Sequence, residues 1–317
     1  MSDVPPRRRK PSWLKVKAPA PRKYRATGAL LDELELHTVC REARCPNKGE
    51  CYSSGTATFL ILGDACTRAC RFCAVETGGA AGLCALDSDE PRRVADAARR
   101  LALRHVVITS VTRDDLPDGG AAQFAAAVAA VRERLPGATV EVLIPDLGGD
   151  DAALAAVLAA RPDVLNHNLE TVARLYAEVR PQAQYHRSLQ VLRRAAAWAR
   201  GAAPARLPAP GPARPAPPTP ARPLVKSGLM VGLGETADEV AAVLADCAAA
   251  AVDLVTIGQY LQPERRCLPV ARYVAPEEFR EYERRAAALG LKVTAAPFVR
   301  SSYRAGELLA REDDVDA

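Results

Sequence analysis

The chain has 317 residues, 49% of them hydrophobic and 26% charged, with a formal net charge of +5. This is ordinary globular usage with room for one or two domains or a single large α/β barrel, and it excludes a fibrous or disordered chain. The longest apolar runs fall short of the roughly 18 residues that a membrane span needs, and a few positive charges on this length do not single out an acidic partner.

Residues 1–25 carry nine Lys or Arg against one acid but lack the apolar core of a secretory signal. They read as a basic, flexible lead-in, with a nucleic-acid arm or an organelle transit peptide as alternatives. Nine cysteines follow, at 40, 45, 51, 66, 70, 73, 84, 247 and 267. An odd count without a secretory signal argues against a disulfide framework, and the crowding of six within residues 40–73 points to metal or cluster binding. Residues 26–56 form an N-terminal extension that carries the first three. Cys247, on a helical segment, reads as a small buried hydrophobe.

From residue 57 to 290 short β-branched runs alternate with alanine-rich helical segments. Strands are predicted at 57–62, 105–111, 139–144, 163–168, 225–231 and 254–260, and helices at 120–135, 150–160, 171–179, 188–200, 236–251 and 276–289. Such β-then-α repeats imply a parallel sheet with helical crossovers, either doubly wound or curled into a barrel. Polar groups cluster at strand C-termini: Thr109-Ser110 with Arg113, Asp114 and Asp115; Asp146; Asn166-His167-Asn168 with Glu170; Gly232 to Glu235; Gln259-Tyr260. Polar ends converging on one mouth favour a partial (β/α)6 barrel of the TIM type. The segment 201–223 has nine prolines in 23 residues, which excludes helix and central strand and predicts an extended, solvated insertion. Residues 291–317 are a C-terminal extension.

CTRACRFC, residues 66–73, places Cys66, Cys70 and Cys73 on a loop directly after a strand. A closed zinc site takes four ligands, and no fourth cysteine or nearby histidine completes this set. A four-iron cluster held by three thiolates keeps one iron open for a small molecule. The CxxxCxxC spacing with Phe72 before the last cysteine resembles the signature of the radical S-adenosylmethionine superfamily. The second triad, Cys40, Cys45 and Cys51, read alone is a structural zinc site, a set of buried thiols or another cluster. Together with TSVTRDDLPDGG (109–120), NHNLET (166–171), KSGLMVGLGET (226–236), GQYLQP (258–263) and RSSY (300–303), it narrows the resemblance to the lipoyl synthases, from about residue 12 to 306. A transfer-RNA methylthiotransferase and a biotin-synthase-like sulfur inserter are the competing enzymes, and an iron-sulfur scaffold or zinc protein is the non-enzymatic alternative.

The resemblance implies two [4Fe-4S] clusters and S-adenosyl-L-methionine, two molecules being used per lipoyl group. Cys66, Cys70 and Cys73 would hold the cluster that cleaves S-adenosylmethionine to a 5′-deoxyadenosyl radical. Cys40, Cys45 and Cys51, with Ser302 as fourth ligand, would hold an auxiliary cluster that supplies two sulfur atoms to C6 and C8 of an octanoyl chain on a lipoyl carrier domain. An alkoxide is a hard ligand on iron that prefers thiolate, so Ser302 should be the weakest link of that shell, which suits a cluster meant to be opened. Positive charge from Arg300 would favour the deprotonated serine. Phe72, Ser110, Asp114, Asn168, Glu170, Gly232, Gly234 and Glu235 are the expected cofactor contacts, with the glycines letting backbone approach the adenosine; His167 is expected to point into the barrel wall. The implied partners are octanoylated carriers (the acyltransferase component of 2-oxoacid dehydrogenases and the glycine cleavage H protein), a flavodoxin or ferredoxin reductant and an iron-sulfur carrier for repair. A cytoplasmic monomer is expected, acting on neither nucleic acid nor membrane. The turn RPQA (180–183) departs from the family at Gln182, where a glycine is usual, as does AAPFV (295–299) before RSSY.

Overall fold

The structure, a computed structural model, describes residues 9–16, 18–79, 83–201 and 222–310. The N-terminal extension holds helix α1 (Pro21–Glu33), strand β1 (His37–Thr38), helix α2 (Val39–Glu42) and helix α3 (Lys48–Ser54). Strand β2 (Thr58–Ile61) leads to the short strands β3 (Ala65–Cys66) and β4 (Glu76–Thr77). The repeats follow as helix α4 (Glu90–Arg100), β5 (His105–Ser110), α5 (Ala121–Arg134), β6 (Thr139–Leu143), α6 (Asp151–Ala159), β7 (Val164–Asn166), α7 (Tyr176–Val179), α8 (Tyr185–Gly201), β8 (Leu224–Val231), α9 (Ala237–Ala249), β9 (Leu254–Gln259) and α10 (Pro276–Ala287). Strand β10 (Lys292–Ala296) and helix α11 (Ala305–Ala310) close the described chain.

The main sheet has the order β1-β2-β5-β6-β7-β8-β9-β10, every pair parallel except β1 with β2. Its end strands do not pair with each other among the described residues, so the barrel is open. All six predicted strands are present, and the barrel core is the expected one. The sheet is nevertheless wider than the six strands anticipated. The C-terminal extension begins as a sheet strand, because the β-branched Val293 and Thr294 pair in register with Val255 and Thr256.

Other differences are local. The predicted helix 171–179 is a 3-10 turn over Ala173–Leu175 followed by the four-residue α7, since Glu170 is left-handed and Val172 extended. Helix α1 begins at Pro21 and buries Thr27, Leu30 and Leu31, so the flexible lead-in ends before residue 25. Proline at the first helical position forfeits no intrahelical bond. Most of the predicted 201–223 insertion, residues 202–221, lies outside the described residues, and Arg222 is anchored on Asp253 at the start of β8. No described helix is long and apolar enough to cross a membrane.

Helices cover the outside of the sheet through Val106, Ile108, Val140, Val142 and Leu165, all fully buried. The inside is filled from below. Leu309 of α11 packs with Val164, Leu224 and Leu254. Next along the strands is a polar group of His105, Glu141, Asn166 and Lys226, and at the strand C-termini the interior opens into a cavity.

Candidate active site

One cavity of about 340 Å³ at the mouth of the barrel is lined by all six clustered cysteines and by Arg300, Ser301, Ser302 and Tyr303. Residues 260 positions apart in sequence therefore share a wall. None of these cysteines is in a disulfide.

The loop of Cys66, Cys70 and Cys73 is held from several sides. Thr112 and Arg68 donate backbone N–H groups to Cys66 Sγ at 3.3 and 3.4 Å. Such bonds to a ligating sulfur tune a cluster's potential. Arg68, inside the motif, is 6% exposed and forks onto Asp114 at 2.7 and 2.8 Å, with a further bond to the fully buried Asp146 at 2.6 Å. Gln182 accepts from the Ala69 N–H at 2.7 Å and donates to the Thr67 carbonyl at 3.3 Å. The Cys267 thiol donates to the Cys73 carbonyl, and Leu268 N–H donates to the Arg71 carbonyl.

Cys40 follows the N-cap of α2, Cys45 lies in the turn after it, and Cys51 is on α3. The C-terminal segment is tied to this extension. Asn47 donates to the Phe298 carbonyl at 2.8 Å, while Tyr303 Oη and Arg304 reach Glu50 at 2.8 and 2.7 Å. Ser302 thus lies between a neighbour fixed to α3 and a neighbour fixed to the barrel, since Ser301 Oγ donates to Asn168 Oδ1 at 2.8 Å.

Burial pushes the thiols up, Cys40 and Cys73 to about 12 and Cys51 to about 11, with neighbouring cysteines adding to the effect. Without a metal they are neutral, and each ligation releases a proton. Burial raises Cys70 as well, opposed by the charge of Arg180. Arg180 is 9% exposed and donates to the carbonyls of Asn168 and Leu169 and to Tyr176 Oη. Burial also raises Glu170 above the ordinary carboxylate range, although Arg180, Asn168 and Arg300 pull it down. Burial lowers Arg300 below the ordinary guanidinium range, opposed by the nearby Cys45 and Glu170.

The wall suits the implied groups. Two sets of three free thiols face one cavity beside two cations, which offset the negative charge that thiolate ligands bring. Ser110 Oγ and His167 Nε2 are buried in its lining without a hydrogen-bond partner among the described residues, as suits a polar ligand. Among the described residues no three His, Cys, Asp or Glu side chains are grouped to hold a single metal ion. In a four-iron cluster each thiolate takes a different iron, so a triad need not converge on a single point.

Of the expected cofactor contacts, Phe72, Ser110, Asn168 and Glu170 line the cavity. Asn168 is already engaged, donating to Glu170 Oε1 at 2.9 Å and accepting from Ser301. Asp114 is not in the lining and serves Arg68 and Thr67. Gly232, Gly234 and Glu235 are also off the cavity. Glu235 accepts from the N–H groups of Gly232 and Leu233 at 2.6 and 2.9 Å, and Gly232, with φ +102°, abuts Gln259. The glycines that clear space at the site are Gly228 and Gly258, and the space they leave is taken by Ser301 and Val299. His167 lines the cavity while Nδ1 meets the Ile144 carbonyl at 2.9 Å, and burial lowers it to about 4, so the ring is neutral. The structural roles of Arg68, Arg180, Gln182, Glu141 and Lys226 were missed in the sequence. Gln182 stood out only as a departure from the family turn, and Arg68 as a charged residue between two cysteines of the motif.

Comparison with known proteins agrees with this geometry. Residues 60–197 match the Radical SAM superfamily, and residues 3–45 match the N-terminal domain of lipoyl synthase. Lipoyl synthase of Oleidesulfovibrio alaskensis is 54% identical over 296 residues, covering 93% of both chains. That of Thermus thermophilus is 51% identical over 300 residues, covering 94% of this chain and 86% of the relative. Among solved structures, Streptococcus suis SuiB bound to S-adenosylmethionine superposes with a TM-score of 0.53 at 9% identity, covering 75% of this chain and 49% of that one. HydG, a maturase of the [FeFe]-hydrogenase, superposes at 0.51 and 14% identity, covering 79% and 54%. The chain spans about half the length of these two, and at such identity they establish the fold alone. The full-length similarity to the curated relatives, together with the matched N-terminal domain, places the chain in the lipoyl synthase family of radical S-adenosylmethionine enzymes.

Proposed function

We propose that the protein is a sulfurtransferase that inserts two sulfur atoms, at C6 and C8, into an octanoyl chain on a lipoyl carrier domain. The observation that carries this reading is the shared cavity: both cysteine triads and the RSSY segment line it. Cys66, Cys70 and Cys73 would hold one cluster with S-adenosylmethionine, and Cys40, Cys45, Cys51 and Ser302 the other. Bound there, these groups supply the electron, the hydrogen-abstracting radical and the sulfur.

The chain's own residues do the rest. Arg68 and Gln182 fix the Cys66–Cys73 loop against the barrel, so the open side of its triad keeps one direction. Arg180 and Arg300 place positive charge beside Cys70 and Cys45. Leu60, Ile144, Leu229 and Met230 supply an apolar wall for an alkyl chain, which keeps water from the reacting carbons. The carriers are the dehydrogenase acyltransferase component and the glycine cleavage H protein. A flavodoxin or ferredoxin would deliver electrons, and an iron-sulfur carrier would rebuild the consumed cluster.

Anaerobic reconstitution should give about two four-iron clusters per chain. With an octanoyl-lysine peptide, a single turnover should yield 5′-deoxyadenosine and a two-sulfur mass gain. Cys66→Ala should abolish the nucleoside, whereas Cys45→Ala should retain some cleavage without sulfur insertion. Lipoyl product from Cys45→Ala would refute the assignment of the donor cluster.

A further inference from the structure

The barrel interior buries an ion pair that the sulfur chemistry does not call for. Lys226 of β8 and Glu141 of β6 are each 1% exposed, with Nζ at 3.0 and 3.2 Å from the two carboxylate oxygens. Asn166 Nδ2 donates to Glu141 Oε1 at 3.1 Å, and His105 Nε2 is 3.3 Å from Oε2, with Nδ1 on Thr139 at 2.8 Å. A buried pair of this kind is often no more stabilising than apolar residues of the same volume. Its use therefore has to be sought in what else it holds. An ammonium has three donors, and a further bond of Lys226 goes to the backbone carbonyl of Ser301, at 2.5 Å.

That carbonyl belongs to a strap running down the inside of the barrel. Val299 passes Gly258 of β9, where an added Cβ would come 2.0 Å from the Val299 carbonyl oxygen. Ser301 passes Gly228 of β8, where a Cβ would come 2.5 Å from its Oγ, and Gly306 passes His105. On the far side Tyr303 and Arg304 grip Glu50, the residue before Cys51. The Ser302 side chain makes no hydrogen bond among the described residues, and both of its neighbours are pinned.

We propose that Lys226, itself oriented by Glu141, is the positioning residue that holds Ser302 against the Cys40, Cys45 and Cys51 triad by anchoring the Ser301 carbonyl. The inference rests on the reading of Ser302 as oxygen ligand of the auxiliary cluster. The strap would be register-locked: with the anchor removed, the serine can withdraw while the three thiolates stay.

The test compares the full-length reconstituted protein with Ser302→Ala, with Lys226→Met combined with Glu141→Gln, which leaves no lone buried charge, and with Gly228→Ala, which displaces Ser301 and keeps the pair. Iron release to a chelator is followed for each, alongside the Mössbauer signature of an oxygen-ligated iron. Both anchor variants should lose that signature and release auxiliary-cluster iron at least tenfold faster, approaching Ser302→Ala, while iron at the Cys66 triad leaves at the parental rate. Should Ser302→Ala retain the signature, the ligand reading fails and the inference with it. A changed Ser302→Ala beside a parental signature in a folded anchor variant overturns the positioning role alone. Faster loss from both clusters equally would mean general loosening and also overturns it. If the double variant does not fold, Lys226→Gln combined with Glu141→Gln, which keeps a neutral polar pair but leaves the side chain at 226 too short to reach the Ser301 carbonyl, decides by the same criteria.

Discussion

Arg68→Met tests the claim that the cluster loop is held by a buried charge rather than by its metal alone. The side chain forms three charge-assisted bonds, two to Asp114 and one to Asp146. The two acids differ in a way that sets the magnitude. Asp146 is fully buried, and its remaining partners are the Gly148 N–H at 3.2 Å and Arg187 at 3.5 Å. Burial raises its carboxyl, and the bond and charge of Arg68 outweigh this and hold it below the ordinary range. Asp114 is 43% exposed, so water replaces Arg68 there. Removing one partner of a buried pair costs about 3–5 kcal/mol, whereas losing a partly exposed one costs about 1 kcal/mol or less. Arg68→Met should therefore destabilise the apo-protein by about 3–5 kcal/mol, a fall in Tm of roughly 5–10 °C for a chain of this size. Asp114→Asn should cost about 1 kcal/mol. Anaerobic urea unfolding and calorimetry read both, and iron counting after reconstitution should show the Cys66 triad poorly loaded in Arg68→Met. A loss below about 1 kcal/mol for Arg68→Met, or equal losses for the two variants, would refute the reasoning.

Two further outcomes follow from the same structure. Gln182→Ala removes two hydrogen bonds to the cluster loop, each worth roughly 1 kcal/mol; the cluster of the Cys66 triad should bleach faster in air with the auxiliary cluster unaffected, and parallel bleaching of both would reject a local clamp. For Glu141, burial alone would raise the carboxyl, but the charge of Lys226 and the bonds of His105 and Lys226 hold it down to about 2 against an unfolded value of 4.5. A depressed carboxylate stabilises the fold above its unfolded pKa and loses that contribution as pH falls through the folded value. The stability gap between the parent and Glu141→Gln, measured by urea unfolding of the apo-proteins, should therefore shrink by about 3 kcal/mol between pH 5 and pH 2. A constant gap would show that the pair does not titrate as argued.

The barrel core was legible because its strands bury both faces, and the apolar runs around Val106, Val140, Val225 and Val255 declare that locally. The two cysteine triads that line the cavity were legible for a different reason: each is a local set of closely spaced cysteines, so both stand out in the sequence itself. What escaped was whatever one strand does to another. Glu141 and Lys226 are 85 residues apart and each reads as a polar interruption of a strand. Gly228 read only as one glycine of the KSGLMVGLGET motif, yet its missing side chain makes room for a serine 73 residues downstream, a relation that only the folded barrel creates. Gln182 read as a departure from a family turn because the carbonyl and N–H it joins belong to a loop more than 110 residues away. Strand β10 was missed since Lys292, Ala295 and Ala296 give it little apolar signal of its own, and its register comes from β9.

The two triads differ in how their fourth side is met, and the chain's path explains the difference. Cys66, Cys70 and Cys73 follow directly from a barrel strand, and their loop is braced by the barrel's own side chains, so this site is complete once the sheet is. Cys40, Cys45 and Cys51 lie outside the sheet, and the segment facing them arrives from beyond β10, after every strand has been laid down. The strap that carries Ser302 continues into α11, whose Leu309 fills the barrel floor with Val164, Leu224 and Leu254. One segment thus stoppers the barrel, reaches the buried Lys226 and lines the cavity it shares with the second triad, where Ser302 is the proposed fourth ligand. Filling the barrel floor and carrying the proposed fourth ligand therefore fall to one segment, which ties the position of Ser302 to the packing of the barrel.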